Sequence, residues 1–250
     1  MSQIAASAQI GDNTTLGAFC VIGNFVIIGK DSVIGNHVVV HDGSVIGNGV
    51  RIDDHSVIGK LPMKAANSAV TSEAELAPAT IGDECLVGTS VIIYAGSEIG
   101  DAVLVADLAT VREDVQIGEK TIVGRGVSIE NKCQIGRYCK LETNVYITAY
   151  SLIEDYAFLA PGVLTSNDNF IGRTEERFKH FKGVTIRRGG RLGVGSVILP
   201  GREIGPDSVV AGGAVLTRDT ESHQIVAGTP ARYFRDVPEE QLLESQNWFD

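Results

Sequence analysis

Residues 10–29 read IGDNTTLGAFCVIGNFVIIG, and an aliphatic residue returns at every sixth position of this stretch. A period of six fits neither an α-helix, with about 3.6 residues per turn, nor the simple alternation of a flat strand. It indicates a solenoid in which each hexapeptide supplies one face of a coil. The six-residue step covers most of the chain, at Ile4, Ile10, Leu16, Ile22, Ile28, Ile34, Val40, Ile46, Ile52 and Ile58, then from Ile81 to Leu159, and then from Ile186 to Leu216.

The residue two places before each aliphatic position is small or Val, as at Ala8, Ser32 and Ala109. Both positions therefore point into a narrow, packed prism. Three hexapeptides make one coil, so residues 18 apart should stack, and the chain should form about ten coils at one strand per face. The four cysteines occupy the small inward position, which predicts buried wall residues rather than metal ligands or disulfides: Cys20, Cys85, Cys133 and Cys139.

The 250 residues, 44% of them hydrophobic, can bury one sizeable core. The net charge of −10 argues against nucleic acid and against an anionic membrane as the main partner. The N-terminus enters the repeat by Ile4 without a basic or apolar leader, and no stretch has transmembrane length. These features, with unpaired cysteines, favour a cytoplasmic protein.

Two insertions interrupt the repeat, at about residues 60–80 and 165–183, inside a β-helix domain expected to span residues 1–217. Long loops in a compact domain are often functional. Aromatic residues in the second insertion predict an ordered loop: Phe170, Phe178 and Phe181. The tail, residues 218–250, contains Pro238 followed by two acids, which predicts a short helix to Ser245 that caps the open end.

The C-terminal coils IRRGGRLGVGSVILPGREIGPDSVVAGGAVLTRD (186–219), followed by IVAGTPAR (225–232), resemble the acetyl-CoA-binding end of hexapeptide-repeat acyltransferases. The stretch KLETNVYITAYSLIEDYAFLAPGVLTSNDNFIGR (140–173), with GKLPMKAA (59–66) and ADLATVRED (106–114), is similar to N-acetyltransferases of nucleotide-linked amino-deoxysugars, nearest the dTDP-3-amino and dTDP-4-amino types. The resemblance implies a left-handed all-β parallel β-helix, a homotrimer with the site between subunits, and a role in polysaccharide biosynthesis.

For the donor, stacked small residues at the C-terminal coils suit an extended pantetheine arm, and nearby cations suit the CoA phosphates. The expected acetyl-CoA residues are Gly195, Ser196, Gly213, Ala214, Arg218 and Arg232, with Arg187 and Arg188 as further cations. No metal is expected to be required.

None of the five histidines, His37, His41, His55, His180 and His223, falls on the middle coils. A hydroxyl acceptor needs a general base more than an amine does, so this distribution favours N-acetylation. We expect direct attack of the sugar amine on the thioester, without a covalent intermediate, and an oxyanion held by backbone N–H groups around Gly162. The middle coils instead carry outward acids and amides, of which we select Asp107 and Glu113 to orient the ammonium and receive its proton. The resemblance implies that Asn144 lies beside the acceptor amine, and we select it as the third catalytic residue.

Candidate contacts to the nucleotide-linked amino sugar, whether dTDP or UDP, come from both insertions and the middle coils: Lys60, Lys64, Glu130, Glu142, Asn167, Asn169 and Arg173. An O-acyltransferase or an N-acyltransferase for another acyl chain remains the main alternative. A γ-carbonic-anhydrase-like metalloenzyme is a remote alternative, supported only by the expected stacking of His37 on His55. A column of ring-bearing wall residues, or a contact to the substrate nucleotide, explains these two rings better.

Overall fold

The computed structural model describes residues 1–66 and 75–247. The chain is an all-β, left-handed parallel β-helix with three sheets, one along each face of a triangular prism. Successive strands in a sheet are 18 residues apart along the uninterrupted parts, as the pairing of Val197 with Val215 shows. The stacking predicted from the numbering is therefore confirmed.

Most strands contain two residues, because each face of the coil is short. Sheet 1 consists of Gln3–Ile4, Val21–Ile22, Val39–Val40, Val57–Lys60, Ile92–Tyr94, Thr110–Val111, Ser128–Ile129, Tyr146–Ile147, Leu164–Thr165, Val197–Ile198 and Val215–Leu216. Sheet 2 consists of Gln9–Ile10, Ile27–Ile28, Val45–Ile46, Thr80–Ile81, Glu98–Ile99, Gln116–Ile117, Gln134–Ile135, Leu152–Ile153, Thr185–Ile186 and Glu203–Ile204. Sheet 3 consists of Thr15–Leu16, Val33–Ile34, Arg51–Ile52, Leu86–Val87, Leu104–Val105, Ile122–Val123, Lys140–Leu141, Phe158–Leu159, Arg191–Leu192, Val209–Val210, Gln224–Ala227 and Arg232–Asp236.

The solenoid is slightly longer than the predicted ten coils, because its sheets hold 11, 10 and 12 strands. The additional strands at the C-terminal end lie beyond the last regular hexapeptide. Gln224–Ala227 joins sheet 3 in parallel, and Arg232–Asp236 turns back to pair with it in antiparallel fashion. Val226 and Ala231 of this hairpin belong to the hydrophobic core, so the hairpin covers the end of the prism.

The core is one continuous column of aliphatic side chains, and the small residues that precede them line its wall. All four cysteines are free and buried, as predicted. Burial raises the pKa of Cys133 to about 12 and that of Cys85 to about 11. Gly11, which follows an aliphatic residue, lies so close to the next coil that a Cβ would stand 2.5 Å from the Lys30 backbone nitrogen. Close approach of neighbouring coils explains the frequent Gly at this position.

Both insertions leave the prism at the same corner, between sheet 1 and sheet 2. The first follows Lys60 and ends at Thr80, and residues 67–74 of it lie outside the described part. The second follows Thr165, contains the 3₁₀-helix Glu175–Lys179, and ends before Thr185. Phe178 packs edge-on against Phe181, so the predicted aromatic packing of this loop is confirmed.

The tail forms two 3₁₀-helices, Glu239–Gln241 and Leu243–Ser245, in place of the single helix predicted for residues 238–245. Leu242 is extended between them. The reason is tertiary: Leu243 is buried, and its N–H donates to Asp207 Oδ1 at 3.1 Å. The segment therefore lies along sheet 3 instead of capping the end. No described helix is long and apolar enough to cross a membrane.

Candidate active site along one corner of the prism

The corner between sheet 3 and sheet 1 contains one left-handed residue per coil, and these residues form a column along the prism. From the second coil onward, each backbone N–H in the column donates to a carbonyl of the preceding coil, as Asn144 does to Arg125 at 2.9 Å. We call this set the corner column, and it consists, from the N-terminal to the C-terminal end, of Phe19, His37, His55, Ser90, Leu108, Gly126, Asn144, Gly162, Gly195 and Gly213. The backbone is the same throughout, so the column differs from coil to coil mainly in its side chains.

At the N-terminal end of the corner column, Phe19, His37 and His55 form a stack that we call the ring ladder. The Phe19 and His37 ring centroids are 5.0 Å apart, and those of His37 and His55 are 4.9 Å apart with planes only 9° from parallel. The stacking expected for the two histidines is thus confirmed. Among the described residues, no three His, Cys, Asp or Glu side chains are grouped so that they could hold a metal ion.

At the C-terminal end, the corner column consists of Gly162, Gly195 and Gly213, with φ of 71°, 63° and 66°. These are the only described glycines at which an added Cβ would meet no heavy atom within 4 Å. At the same type of position on another corner, a Cβ on Gly96 would stand 2.5 Å from Asp114 Oδ1. The three open glycines therefore leave a smooth strip of exposed backbone along three consecutive coils.

Of the six predicted acetyl-CoA residues, the two glycines face this open strip and two others do not. The side chains of Ser196 and Ala214 are fully buried, because both residues occupy the small inward position of the repeat. Arg218 is exposed, and so is Arg232, whose Nη1 donates to the Ala231 carbonyl at 2.8 Å. Arg187 is bound elsewhere, between Glu154 and Glu203 on sheet 2, at 2.7 Å from each.

Asp107 and Asn144, two of the predicted catalytic residues, lie at this corner. The Asp107 carboxylate accepts the Thr89 N–H at 2.8 Å, the same bond that Asp83 and other acids make to a neighbouring coil. Asn144 is exposed, and its Oδ1 occupies the space over Gly126, 2.5 Å from where a Cβ would stand. The Gly162 N–H donates to the Thr143 carbonyl at 3.0 Å, so that donor already has a partner within the solenoid.

Glu113, the third predicted catalytic residue, lies at the other end of the sheet 1 strands, beside the two insertions. It is 4% exposed rather than outward-facing, because the Arg112 guanidinium covers its carboxylate with bonds of 2.8 and 3.0 Å. Arg112 also donates to Glu130 Oε2 at 3.3 Å. We call Lys60, Tyr94, Arg112, Glu113 and Glu130 the arginine cluster, since Lys60 Nζ lies 3.3 Å from the Tyr94 hydroxyl and Arg112 lies over the same ring.

Burial is the largest cause of the pKa shifts of Glu130, in the arginine cluster, and of Tyr146. Desolvation raises the pKa of Glu130, and the charge of Glu113 adds to this effect, although Arg112 opposes it. Burial also raises the pKa of Tyr146, with Glu130 as the next cause. A carboxylate with a raised pKa is a better proton acceptor than an exposed one at neutral pH.

The second insertion is organised by Asp168, which had no place in the sequence-based set. Its carboxylate accepts the backbone N–H groups of Phe170 and Gly172, at 2.8 and 3.0 Å, and the Arg177 side chain at 3.3 Å. Hydrogen bonds from the Gly172 and Phe170 backbones lower the pKa of Asp168, with Arg177 adding to them. The short SND turn, with an acid two residues before Phe170, was the available sequence signal.

The other predicted substrate residues are spread along the molecule. Within the second loop, Asn169 and Arg173 are exposed. Asn167 is partly buried, and its backbone carbonyl accepts the Lys182 N–H at 3.2 Å. The His180 ring packs on Phe170, and its Nε2 lies 3.1 Å from Glu176 Oε1. Lys64 is exposed on the first insertion, and Glu142 is partly buried at the corner between sheets 3 and 1, next to Asn144. Sequence reasoning missed Arg112 and Tyr94, although both stand directly after inward aliphatic residues.

Two sequence profiles of the six-residue repeat match this chain. The bacterial transferase hexapeptide (six repeats) matches residues 7–42 and 114–149, and the hexapeptide repeat of succinyl-transferase matches residues 78–106 and 183–218. Together these segments cover more than half of the chain. The chain belongs to the hexapeptide-repeat acyltransferase family.

Relatives with known names are similar over parts of the chain. A putative acetyltransferase of Saccharomyces cerevisiae is 30% identical over 119 residues, which are 41% of this chain and 61% of the relative. A 2,3,4,5-tetrahydropyridine-2,6-dicarboxylate N-acetyltransferase of Clostridium perfringens is 46% identical over 48 residues, 19% of this chain and 20% of the relative. The chain thus matches less than two thirds of the length of these relatives. A UDP-N-acetylglucosamine acyltransferase of Bacteroides fragilis shares the fold, with a TM-score of 0.58 and 22% identity over 94% of this chain and 72% of that structure.

Proposed function

We propose that this family member is an acetyl-CoA-dependent N-acetyltransferase that acts on the amino group of a nucleotide-linked amino-deoxysugar. The observation that carries the proposal is the strip of open glycines, which is the only place where described glycines expose backbone without a neighbouring atom. The exposed Arg232 begins the strand that pairs next to the C-terminal end of this strip, whereas the exposed Arg218 follows the last strand of sheet 1 and lies at the corner between sheets 1 and 2. An extended chain bearing phosphates matches that combination of smooth backbone and terminal cations.

In this proposal the pantetheine arm lies along Gly195 and Gly213, with the acetyl thioester near Gly162. The CoA phosphates contact Arg218 and Arg232, both of which are exposed. Ser196 and Ala214 contribute only by being small, because their side chains are inside the wall. No metal is required by this chemistry, because the thioester is activated already and the nucleophile is an amine.

The acceptor amine reaches the thioester from the side of Asn144, which stands on the coil next to Gly162 in the corner column. The Asn144 amide can both donate to and accept from the acceptor sugar. The neutral amine attacks the thioester carbonyl, the C–N bond forms, the C–S bond breaks, and the CoA thiolate leaves. The amine proton passes to a carboxylate or to the departing thiolate, so the products are an amide and CoA.

The carboxylates that we propose to interact with the acceptor lie in two separate groups. Asp107 lies beside Leu108, three coil spacings or about 14 Å before Gly162 along the corner column, whereas Glu113 and Glu130 lie at the opposite end of the sheet 1 strands. Asp107 can therefore orient the acceptor away from the reacting amine, and the amine proton goes to a carboxylate of the arginine cluster or to the departing thiolate. One chain alone does not bring both groups to one point. We therefore propose a homotrimer in which sheet 1 of one copy faces the corner column of the next, so that the arginine cluster and the insertion residues complete the acceptor site. A cytoplasmic location fits the use of acetyl-CoA and a nucleotide sugar.

An amine is favoured over a hydroxyl as the acceptor because His180 is held in the second loop by Phe170 and Glu176, and the other histidines lie on the first coils or in the tail. An O-acyltransferase would need a general base at the thioester. This O-acyl alternative is the second candidate, since the B. fragilis protein with the same fold acts on UDP-N-acetylglucosamine.

The direct test is a thiol-release assay with acetyl-CoA against dTDP- and UDP-linked amino sugars, with the matching hydroxyl sugars as controls. We expect thiol release with at least one amino sugar and a product that gains one acetyl group on nitrogen by mass spectrometry. Release with hydroxyl sugars only would replace the proposal by the O-acyl alternative.

The homotrimer has its own test, which mixes two impaired variants and assays them at an acetyl-CoA concentration below the wild-type KM, where both have low activity. Gly213→Asn blocks the donor strip, and Glu130→Gln removes a carboxylate of the arginine cluster. If the site joins two copies, then co-refolded mixtures regain part of the activity, because some interfaces combine an intact strip with an intact cluster. Mixtures that stay as impaired as the separate variants would place the whole site within one chain.

A further inference from the structure

The ring ladder ends in an unusual way. His55 stacks on His37 through one face of its imidazole. On its other face the next residue of the corner column is Ser90, which carries no ring, and the residue after that is Leu108, which is 52% exposed. His55 and Leu108 are therefore separated by two coil spacings, about 9.6 Å. We call the space over Ser90, between His55 and Leu108, the ring slot.

The ring slot has the dimensions of one more ring. Rings within the ladder repeat at 4.9 Å, so a planar ring over Ser90 would stack on His55 at the ladder's own spacing and still contact Leu108. A groove of about 310 Å³ opens beside it on sheet 3, lined by Leu86, Leu104 and Asp107 among others. Leu86 is 48% exposed, so the groove offers apolar surface next to the stacking face.

The order of features along the corner column suits one class of ligand. Two coils beyond Ser90, Arg125 is exposed directly before Gly126. Asn144 follows on the next coil, about 14 Å from Ser90 at one coil per strand spacing. Beyond Asn144 come the open glycines. A stacking slot, a cation and then an amide therefore occur in the same sequence as the base, the diphosphate and the amino sugar of a nucleotide sugar.

We propose that the ring slot binds the pyrimidine base of the acceptor, with the base stacked on His55, the diphosphate beside Arg125 and the amino sugar at Asn144. This assignment rests on the proposed function for the nature of the acceptor. It goes further by assigning the N-terminal half of the corner column to nucleotide recognition, so that donor and acceptor lie end to end along one edge of the solenoid.

The test uses the full chain and measures binding by isothermal titration calorimetry, with dTDP and UDP as probes and inorganic pyrophosphate as the base-free probe. Two variants act on the slot. His55→Ala removes the stacking face, and Ser90→Phe fills the slot with a residue type that already adopts this backbone at Phe19, where φ is 59°. His41→Ala is the matched control, because His41 is exposed but lies outside the corner column.

We expect each slot variant to weaken dTDP and UDP binding about 5- to 150-fold, the range seen when a base loses an aromatic platform. Pyrophosphate binding should not change, and His55→Phe, which keeps a ring, should stay within about threefold of the wild type. His41→Ala should bind all three probes normally. Circular dichroism melting of every variant checks that the solenoid is intact.

The acetylation assay and the dTDP-binding assay together separate the proposed function from the assignment of the ring slot. If amino sugars are acetylated and Ser90→Phe leaves both their KM and the dTDP affinity unchanged, then the ring slot is not the base site while the proposed function stands. If no amino sugar is acetylated but Ser90→Phe abolishes dTDP binding, then the slot assignment stands and the proposed function fails. Binding of dTDP that is no tighter than binding of pyrophosphate would overturn the assignment.

Discussion

The two halves of the corner column share one backbone and differ in almost every side chain. In the N-terminal half, rings project from left-handed residues and stack at 4.9–5.0 Å; in the C-terminal half, three glycines leave backbone exposed. The coil-to-coil N–H···O bonds run through both halves without a break. In a solenoid the corner side chains are thus free to vary, because the inner wall alone carries the packing.

The prediction with the largest expected effect tests whether buried side chains of the inner wall contribute equally to stability in both halves of the solenoid. Ile52→Ala and Ile198→Ala each remove a fully buried side chain, one beneath the ring ladder and one beneath the open glycines. Each should lower the free energy of unfolding by about 2–5 kcal/mol, because both leave a cavity in a tightly packed prism. Urea unfolding, followed by hydrogen exchange on each half, measures the effect. A difference of more than about 2 kcal/mol between the two variants would contradict the equivalence.

A second prediction tests the difference between the halves. The double variant Gly195→Asn, Gly213→Asn should raise the KM for acetyl-CoA at least about tenfold, equivalent to about 1.4 kcal/mol of lost binding, because the side chains obstruct the donor strip. Stability should change little, since Asn adopts this backbone at Asn13 and Asn144, with φ of 59° and 60°.

Gly49→Asn is the matched control for that variant. Gly49 has the same φ of 63° as Gly195, but it belongs to a different corner, where the flexible Glu84 side chain is its neighbour. Its KM for acetyl-CoA should remain that of the wild type. An equal loss in the control would mean that Asn damages any corner and that the strip has no special role.

A third, smaller effect concerns acid stability of the ring-bearing half. Asp54 and Asp42 accept backbone N–H groups of Asn36 and Asn24, and hydrogen bonds from those two residues lower the pKa of each carboxylate. A lowered folded pKa contributes stability above the unfolded value of about 3.9, and that stability is lost as pH falls through the folded value.

The double variant Asp42→Asn, Asp54→Asn removes these two titrations. Its free energy of unfolding should therefore fall less steeply than that of the wild type between about pH 4 and pH 2. Urea denaturation at each pH gives the slope. Identical slopes for the two proteins would show that the carboxylates do not support the ring-bearing half.

The last prediction is that a thiol reagent does not modify the cysteines of the native protein in either half of the solenoid. Burial raises the pKa of Cys133 and Cys139 to about 12, so neither forms a thiolate at pH 8. Ellman's reagent should leave the native protein unmodified and should react with four thiols after unfolding. Rapid reaction of the native protein would mean that the wall opens locally at one of these coils.

The fold could be predicted from the sequence because its period is carried by every hexapeptide. Ile10, Leu16 and Ile22 already indicate the coil, and the 18-residue stacking of His37 on His55 followed from counting alone. The number of coils was underestimated because the closing hairpin has no six-residue pattern. The tail helix was replaced by two 3₁₀-helices, since docking of Leu243 against Asp207 outweighs a weak local helix preference.

The site was predictable only where it follows the period. Gly195 and Gly213 were expected to stack, and they do, but the openness around them depends on all atoms nearby. Glu113 was expected at an outward position and is buried, because Arg112 from the adjacent position lies across it. The roles of Asp107, Glu113 and Asn144 remain proposals.

By itself, the sequence determined the solenoid, its inner wall and its 18-residue stacking, because those properties repeat and each copy reinforces the others. Only the tertiary structure decided which corner is open and how the arginine cluster pairs. These properties depend on side chains from different coils and faces that meet only after the prism has wound, and a linear pattern does not encode such contacts.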